Sequence, residues 1–256
     1  MRSMDAWPNP RRLLCLIALA TLLAPVRLVA EPVVRLTSLE WPPYAGEALT
    51  EGGSQVALVR RAYAAVGVRL EVQFLPFRRA VQLARTDPAI AGYFPEYIEV
   101  DDDFTVSMVL GVSPLGLVYR VDRPLVWARL ADLAAFQPIG VVAGYLNEPE
   151  LDRLIAERAL RAEPALDDVG NLRRLIHGRV GAAVIDQAVL RFLLVHTPDL
   201  AGAAARVRFH PRLLAERSLH VAFRRLPQGD AARRLLDQGL MRLDPAQLHP
   251  YAQSGP

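Results

Sequence analysis

Hydrophobic and polar positions alternate between two periods from residue 33 onward. Short branched, apolar stretches predict buried strands, and apolar residues at helical spacing follow them. The first predicted helix ends at Gly67 and the second begins after Pro76, where these residue types are favoured. The order strand, helix, strand, helix, strand over residues 33–94 is typical of a parallel sheet covered by helices on both faces.

The same alternation continues to residue 242 and divides into two similar α/β groups. One group lies before about residue 115 and the other after about residue 120, and no Gly/Ser-rich linker separates them. We therefore expect the division to be made by crossing strands. Strands are predicted at residues 33–39, 68–74, 89–94, 115–121, 138–143, 180–185, 206–210 and 219–223. Helices are predicted at residues 54–66, 77–84, 130–135, 148–160, 168–177, 187–195 and 230–242.

The first thirty residues differ in kind from the rest of the chain. Arginines at positions 2, 11 and 12 precede an apolar run, Leu13–Ala24, and the segment ends at Leu28-Val29-Ala30. A basic start, a short apolar run and a small residue before a polar stretch are typical of a secretory signal peptide. The run is shorter than the about 20 residues of a membrane span. We expect residues 1–30 to be cleaved, with an uncleaved anchor as the alternative.

The amino-acid composition limits the kinds of ligand and partner that the chain can bind. The sequence has no lysine, and 26 arginines and 26 acidic residues follow residue 30, so the exported part is neutral. Because these arginines are scattered, we do not expect nucleic-acid binding. Cys15 is the only cysteine and lies in the leader, which excludes a disulfide or a thiolate site in the exported part. The five histidines have no metal-binding spacing, so we predict no metal and no cofactor.

The stretch TSLEWPPYAG, residues 37–46, places two large aromatic side chains on a stiff turn. Pro42 and Pro43 fix the backbone φ angle and end the preceding strand. Trp41 and Tyr44 therefore follow the carboxyl end of a strand, where ligands bind in open α/β sheets. A hydrophobic plug over the sheet edge explains the same residues, and this stretch alone does not separate the two interpretations.

Three further aromatic residues fall at or just after predicted strand ends. They are Phe77, Tyr93 and Tyr145. Aromatic walls with a few polar groups are typical of a small-molecule site. The alternative is that some of these rings belong to the core, which applies most to Phe77 and Tyr93.

The charged candidates each have two interpretations. Arg79 begins a helix and either clamps an anionic ligand or forms a surface salt bridge. Asp186 lies at a strand–helix junction and either receives an ammonium group or caps the helix. Glu40 and Glu96 follow strand ends as ligand contacts or as loop charges. The acidic triplet at residues 101–103 is better explained as a solvated loop than as a metal site.

A second type of anion site is suggested by the segment 144–147. This segment precedes a predicted helix, and free N–H groups at the start of a helix attract anions.

Five motifs in order resemble those of the extracellular solute-binding proteins of family 3, which are periplasmic receptors of ABC importers for amino acids and similar polar solutes. The motifs are LEWPPYAG, LPFRRAVQLA, AGYFPE, IGVVAGY and HGRVGAAVIDQAV. The resemblance implies an α/β, two-lobe, periplasmic-binding-protein-like fold of type II, the Venus flytrap, with mostly parallel sheets and crossing hinge strands. Lobe 1 would comprise residues 31–115, lobe 2 residues 120–208, and residues 209–256 would return to lobe 1.

The resemblance also implies a site between the lobes. One jaw would contain the turn with Trp41 and Tyr44, the region of Phe77, and the pair Tyr93-Phe94. The other jaw would contain Tyr145 and Asp186. Amino-acid-binding members usually place an arginine, which holds the ligand carboxylate, where this chain has Val100. Either Arg79 substitutes for it or the ligand carries no carboxylate.

The leading hypothesis is a periplasmic, monomeric, non-enzymatic receptor that closes on a small polar solute, with an ABC permease of the inner membrane as its partner. The alternative is an enzyme on the same scaffold, dehydratase-like or lyase-like, with Glu40, Glu96 or Asp186 as general acid or base. A third hypothesis is an envelope protein that kept the fold without a transporter. Binding is favoured because no two of these acids form a motif that a reaction requires.

Overall fold

The computed structural model describes residues 31–244. The predicted signal peptide, its cleavage site and Cys15 lie outside the described residues. No helix within residues 31–244 is both long and apolar enough to cross a membrane. The strands are β1 (Val33–Ser38), β2 (Arg69–Phe74), β3 (Gly92–Glu96), β4 (Phe104–Val106), β5 (Gly111–Arg120), β6 (Ile139–Val142), β7 (Ala162–Ala165), β8 (Ala182–Asp186), β9 (Val207–Phe209) and β10 (Ala215–Arg224).

The helices also follow the predicted order. They are α1 (Ser54–Ala64), α2 (Phe77–Thr86), α3 (Pro149–Ala156), α4 (Asp168–Ile176), α5 (Gln187–His196) and α6 (Pro227–Leu240). The short helix predicted at residues 130–135 is present as a 3₁₀ helix, Leu130–Phe136. The helix predicted to reach residue 160 ends at Ala156, since Arg158 adopts a positive φ of 62° and leaves the helical path.

Parallel pairs lie at the outer ends of the sheet. Strands β2, β1 and β3 pair in parallel in the amino-terminal part, and β7, β6 and β8 pair in parallel in the second part. Strands β4 and β7 are not predicted from sequence, because they are short and, in β7, partly exposed. The parallel strands β3, β6 and β8 are largely buried, read as apolar runs and are predicted from the pattern.

The two parts are joined by two long antiparallel strands. The first half of β10, Ala215–Leu219, pairs with Gly111–Leu115 of β5. The second half of β10 pairs with β3 and β4, while β5 continues onto β8 and β9. Each strand therefore belongs to both parts, as expected for crossing strands in a two-lobe fold. The prediction starts β10 only at Leu219, because the segment AERS has no apolar alternation.

Separate hydrophobic clusters stabilise the two parts. In the first, α1 and α6 pack over β1 and β3 through a cluster that includes Leu36, Val59 and Leu236, all fully buried. In the second, Leu117, Ile139 and Leu151 belong to a different cluster. The carboxyl ends of β1, β3 and β8 lie between them, in a third cluster that draws residues from both parts.

Candidate functional site

The aromatic turn is held rigidly against the start of α1. Trp41 N–H donates to the Ala45 carbonyl at 2.8 Å, and Tyr44 N–H donates back to the Trp41 carbonyl at 3.0 Å. The first N–H groups of α1 donate to carbonyls of the turn, Gln55 to Tyr44 at 2.9 Å. Gly53, with φ of 99°, allows this approach, because a Cβ there would lie 2.6 Å from the Tyr44 oxygen. Trp41 and Tyr44 are thus presented on a fixed corner.

This corner meets side chains from the second part of the chain. The Tyr44 hydroxyl donates to Asp186 Oδ2 at 3.0 Å. The Trp41 ring lies edge-on to Tyr145 at 6.5 Å between centroids, and Phe77 lies edge-on to the same ring at 5.4 Å. Trp41, Tyr44, Phe77, Tyr145 and Asp186, all predicted from sequence, therefore come together in one cleft.

Asp186 is the N-cap of α5 and is 2% exposed. Its Oδ1 accepts from the N–H groups of Ala188 and Val189 at 2.6 and 2.9 Å. Its Oδ2 accepts from the Ser113 hydroxyl at 2.6 Å as well as from Tyr44. Burial raises the pKa of Asp186, and these four hydrogen bonds oppose the increase. The capping interpretation of Asp186 is confirmed, and the cap also joins the two sides of the cleft.

Asp168 is a second buried carboxylate in the cleft. It begins α4 and is 7% exposed, whereas its neighbour Asp167 is exposed and caps the helix by accepting from Gly170 N–H. Burial first, and then the carboxylates of Asp186 and Asp167, raise the pKa of Asp168 to about 7 against the opposing effect of a hydrogen bond from the Trp41 side chain. Asp168 is therefore poised between its neutral and charged forms near neutral pH.

Glu96 and Tyr97 extend the polar chain from the end of β3. Glu96 Oε1 accepts from Tyr97 N–H at 2.7 Å, and the Tyr97 hydroxyl lies 3.3 Å from the Ser113 hydroxyl. Burial raises the pKa of Glu96 to about 7, while its hydrogen bonds and the nearby Arg217 oppose the increase. Tyr97 and Ser113 thus connect Glu96 to Asp186 through the floor of the cleft.

Two adjoining cavities of about 30 and 20 Å³ occupy the cleft. Both are lined by Trp41, Tyr97, Tyr145 and Leu146; one adds Leu39, Phe77, Pro95, Glu96 and Leu219, and the other adds Leu115, Val142, Asn147, Asp168, Val184, Ile185 and Asp186. Each has room for about one water molecule. The chain's own rings close the cleft, so a larger ligand requires the jaws to separate.

Five predicted site residues do not line these cavities, although one of them, Tyr44, donates a hydrogen bond to Asp186 in the cleft. Phe94 is fully buried in the core of the first part, and Tyr93 packs edge-on against Phe104 at 5.1 Å. Arg79 is exposed, and Glu40 is an exposed residue of the turn that accepts from Glu47 N–H at 2.9 Å. Tyr93 still touches the cleft indirectly, because its ring contacts Phe77 at 6.3 Å.

Two other sequence interpretations are tested by contacts in the structure. The anion site predicted at the start of α3 is wrong, because Leu151 N–H donates to Glu148 and Asn147 N–H donates to Asp152, both at 2.8 Å. The chain's own carboxylates therefore occupy that helix start. The acidic triplet is an exposed loop, in which Asp101 and Asp103 pair with Arg85. Within residues 31–244, no cluster of three or more potential metal ligands is present.

Sequence reasoning missed Asp168, Tyr97, Ser113 and Leu146 as residues of the cleft. Asp168 reads as an ordinary helix start, and Ser113 lies in a stretch with no strand motif. Tyr97 follows Glu96 directly after a strand end, and that position is a signal that would have found it.

The fold has clear relatives among solved structures. The GluR0 ligand-binding core from Nostoc punctiforme, in complex with L-glutamate, matches with a TM-score of 0.63 and 16% identity over 81% of this chain and 91% of that chain. An ancestral arginine-binding protein bound to glutamine matches with a TM-score of 0.65 and 17% identity over 82% and 90%. The periplasmic VFT2 domain of Bordetella pertussis BvgS matches with a TM-score of 0.67 and 13% identity over 96% and 97%.

Comparison at the level of sequence adds no relative. Neither the protein-family models nor the curated proteins that were compared match the chain. The structural similarity extends over most of the chain, and the crossing strands β5 and β10 connect its two parts. The chain therefore has the mixed α/β, two-lobe Venus-flytrap fold of periplasmic binding proteins.

Proposed function

We propose that the chain is a periplasmic receptor that encloses a small polar solute between its two lobes. The observation that carries this proposal is the cleft itself, where Trp41 and Tyr44 from one side meet Tyr145 and Asp186 from the other. The GluR0 core and the arginine-binding protein, which share the fold, bind amino acids. We further propose lobe boundaries at 31–115, 120–208 and 209–256; the pairing of β5 and β10 between the two parts supports this division.

Binding would work through the equilibrium between open and closed lobes. A solute favours the closed form only by its higher affinity for that form. The closed cleft has little free space, so the rings of Trp41, Phe77 and Tyr145 must part before a solute enters. The closed, loaded form is then the surface that an ABC permease of the inner membrane would recognise.

The test is a thermal-stability screen against amino acids, polyamines, organic acids and small sugars, followed by small-angle scattering with each hit. A solute that binds only the folded protein raises the melting temperature, and lobe closure lowers the radius of gyration. Because the rings already touch across the cleft, the scattering profile without ligand also reports how often the lobes stand open. A profile unchanged by every stabilising solute would contradict enclosure between the lobes.

The enzymatic alternative now depends on Glu96. Its pKa of about 7 suits a general acid or base, whereas Asp186 is occupied by four hydrogen bonds and Glu40 by the backbone of its own turn. If this alternative holds, a hit from the screen is converted to a product of different mass by the wild type and not by a Glu96→Gln variant. Recovery of every hit unchanged by mass spectrometry supports the receptor.

A further inference from the structure

We propose that the cleft selects an organic cation that carries an ammonium or guanidinium group and no carboxylate. The inference rests on the receptor function proposed above and specifies its ligand class. It follows from the composition of the cavity walls, the absence of ion pairs at the buried carboxylates, and the positions of the nearest arginines.

The cavity walls contain acids and rings. Among the described residues that line the two cavities, the charged side chains are Glu96, Asp168 and Asp186, and none is arginine or histidine. The remaining polar contribution comes chiefly from Tyr97, Tyr145 and Asn147. A ligand carboxylate placed here would face like charges in a desolvated site, where repulsion is strong.

The two deepest carboxylates have no cationic partner. Neither Asp168 nor Asp186 forms an ion pair with an arginine or histidine of the described chain, whereas exposed Asp199 and Glu163 pair with Arg173 and Arg174. Asp186 is satisfied by four neutral donors. Asp168 has one side-chain donor, Trp41, and its other electrostatic neighbours are acids. A buried carboxylate is costly unless it is paired, and a cationic ligand supplies the missing charge.

The arginines closest to the cleft are held outside it. Arg217 is buried, pairs with Glu99 and lies over the Tyr97 ring at 4.6 Å, so its guanidinium is already engaged by the chain itself. Arg78 is exposed, and its Nε approaches the backbone at Gly144, beside the cleft. Neither side chain lines a cavity. The cavity walls themselves therefore contain carboxylates and no arginine.

The rings complete a cation site. Trp41, Tyr145 and Phe77 meet edge-to-face, so faces of these rings become available when the jaws part. A cation over an aromatic face is attracted by the ring electrons, and more strongly when it is desolvated. An ammonium or guanidinium group would therefore lie between Asp168 and the Trp41 and Tyr145 rings. Ionisation of Asp168 on binding provides its counter-charge.

The experiment uses ligand pairs that differ by a single carboxylate: agmatine and arginine, cadaverine and lysine, putrescine and ornithine. Titration calorimetry of the purified protein at pH 7.5 is expected to show that, in at least one pair, the amine binds at least about tenfold more tightly than the amino acid. The amine keeps the cation–π contact and lacks the carboxylate that the acids of the cleft would repel. Asp168→Asn is expected to lower the affinity for that amine by at least about tenfold. Asp167→Asn, at the exposed neighbouring position, is the matched control and stays within about twofold.

Each contrary result has a distinct meaning. Equal or tighter binding of the amino acids, no binding of any amine, or unchanged amine affinity in Asp168→Asn overturns the cation inference. The comparison of the two members of a pair uses the wild type alone, so it stands even where a variant folds poorly. If a neutral or acidic compound binds and compacts the protein, the receptor function stands and only the ligand class is wrong. If no compound of any class raises the melting temperature or changes the scattering profile, the receptor function also fails.

Discussion

The carboxyl pKa values of acids at the surface and of acids in the cleft of this molecule are shifted in opposite directions. On the surface, arginine partners lower the carboxyl pKa of Glu71, Asp122 and Asp199. In the cleft, burial raises the carboxyl pKa of Glu96, Asp168 and Asp186. The chain has arginines in abundance, yet those that pair with an acid do so mostly outside the cleft.

The difference separates solvated, paired surface charges from buried acids that have no cationic partner. Exposed ion pairs contribute little to stability, because water screens both partners. Buried acids without a cation destabilise the ligand-free protein, so their presence calls for another explanation. The geometry offers two, which are hydrogen-bonded joining of the lobes at Asp186 and capture of a cation at Asp168. The four predictions below test this contrast.

The largest effect is expected for Asp186→Ala. The change removes the α5 cap and leaves the hydroxyls of Ser113 and Tyr44 without their acceptor. Loss of a cap and of buried hydrogen bonds together costs about 2–4 kcal/mol of unfolding free energy. Urea unfolding measures this value, with Ser113→Ala as the control that removes one donor and keeps the cap. A loss below about 1 kcal/mol would mean that water replaces Asp186 at little cost.

The next effect concerns ligand affinity at the rings. Trp41→Ala and Tyr145→Ala, made separately, should each reduce the binding free energy of the ligand found in the screen by about 1–3 kcal/mol. This is the contribution of one well-buried aromatic side chain. Trp127→Ala is the matched control, because Trp127 is also buried, 9% exposed, but belongs to the core cluster of the second part. It should cost stability and leave calorimetric affinity unchanged. Affinity retained in both cleft variants would move the site elsewhere.

The third effect is a change in how stability depends on pH. The pKa of Asp168 is about 7 in the folded protein and ordinarily 3.8. Between these values the folded state holds a proton that the unfolded state has released, so stability falls as pH rises through this window and levels off above it. Asp168→Asn cannot ionise. It should therefore be more stable than the wild type at pH 8, by about 1–2 kcal/mol after local relaxation.

Thermal or urea unfolding across pH 4–8 checks this prediction, and the two proteins should converge near pH 4. The groups that face Asp168 are Asp186, Asp167, Trp41 and Tyr145. Glu96 gives a slope of the same sign, so the variant should keep part of the decline. Asp167→Asn should retain most of the wild-type slope, because Asp167 is only a secondary cause of the raised Asp168 pKa and its Asn substitute still accepts from Gly170. Identical slopes for all three proteins would show that Asp168 stays ionised in the folded protein.

Local chemistry explains which parts of this picture were predictable from sequence. Prolines and a glycine define the turn with Trp41 and Tyr44, and a strand–helix junction defines Asp186, so each was visible in a few consecutive residues. The contact between Tyr44 and Asp186 spans 142 positions, and the contact between Ser113 and Asp186 spans 73. The crossing of β5 and β10 brings them together, and no local pattern encodes that crossing.

Strand β3 is a case in which the local pattern predicts the element and does not identify the residues of the cleft. Tyr93 and Phe94 are consecutive and point to opposite faces, yet both are buried, because β3 lies between β1 and β10 and is covered on both sides. The pattern predicts a buried strand here and does not distinguish core rings from cleft rings. Asp168 was hidden for a related reason, since an acid at a helix start is usually exposed.

The smallest effect is expected at the exposed pair Arg153–Glu157 on α3. Their side chains are separated by one helical turn at 2.7 Å and are each 55% exposed. Glu157→Gln removes the charge and keeps the shape, so the loss should be at most about 0.5 kcal/mol and should vanish in about 1 M salt, where screening is short-ranged. A loss as large as the gain from Asp168→Asn would erase the proposed contrast between the surface and the cleft. A small, salt-sensitive loss of stability in Glu157→Gln, together with a gain in Asp168→Asn, would support the contrast. Surface carboxylates would then add a little stability, and the carboxylate of Asp168 would be kept for binding at a cost in stability.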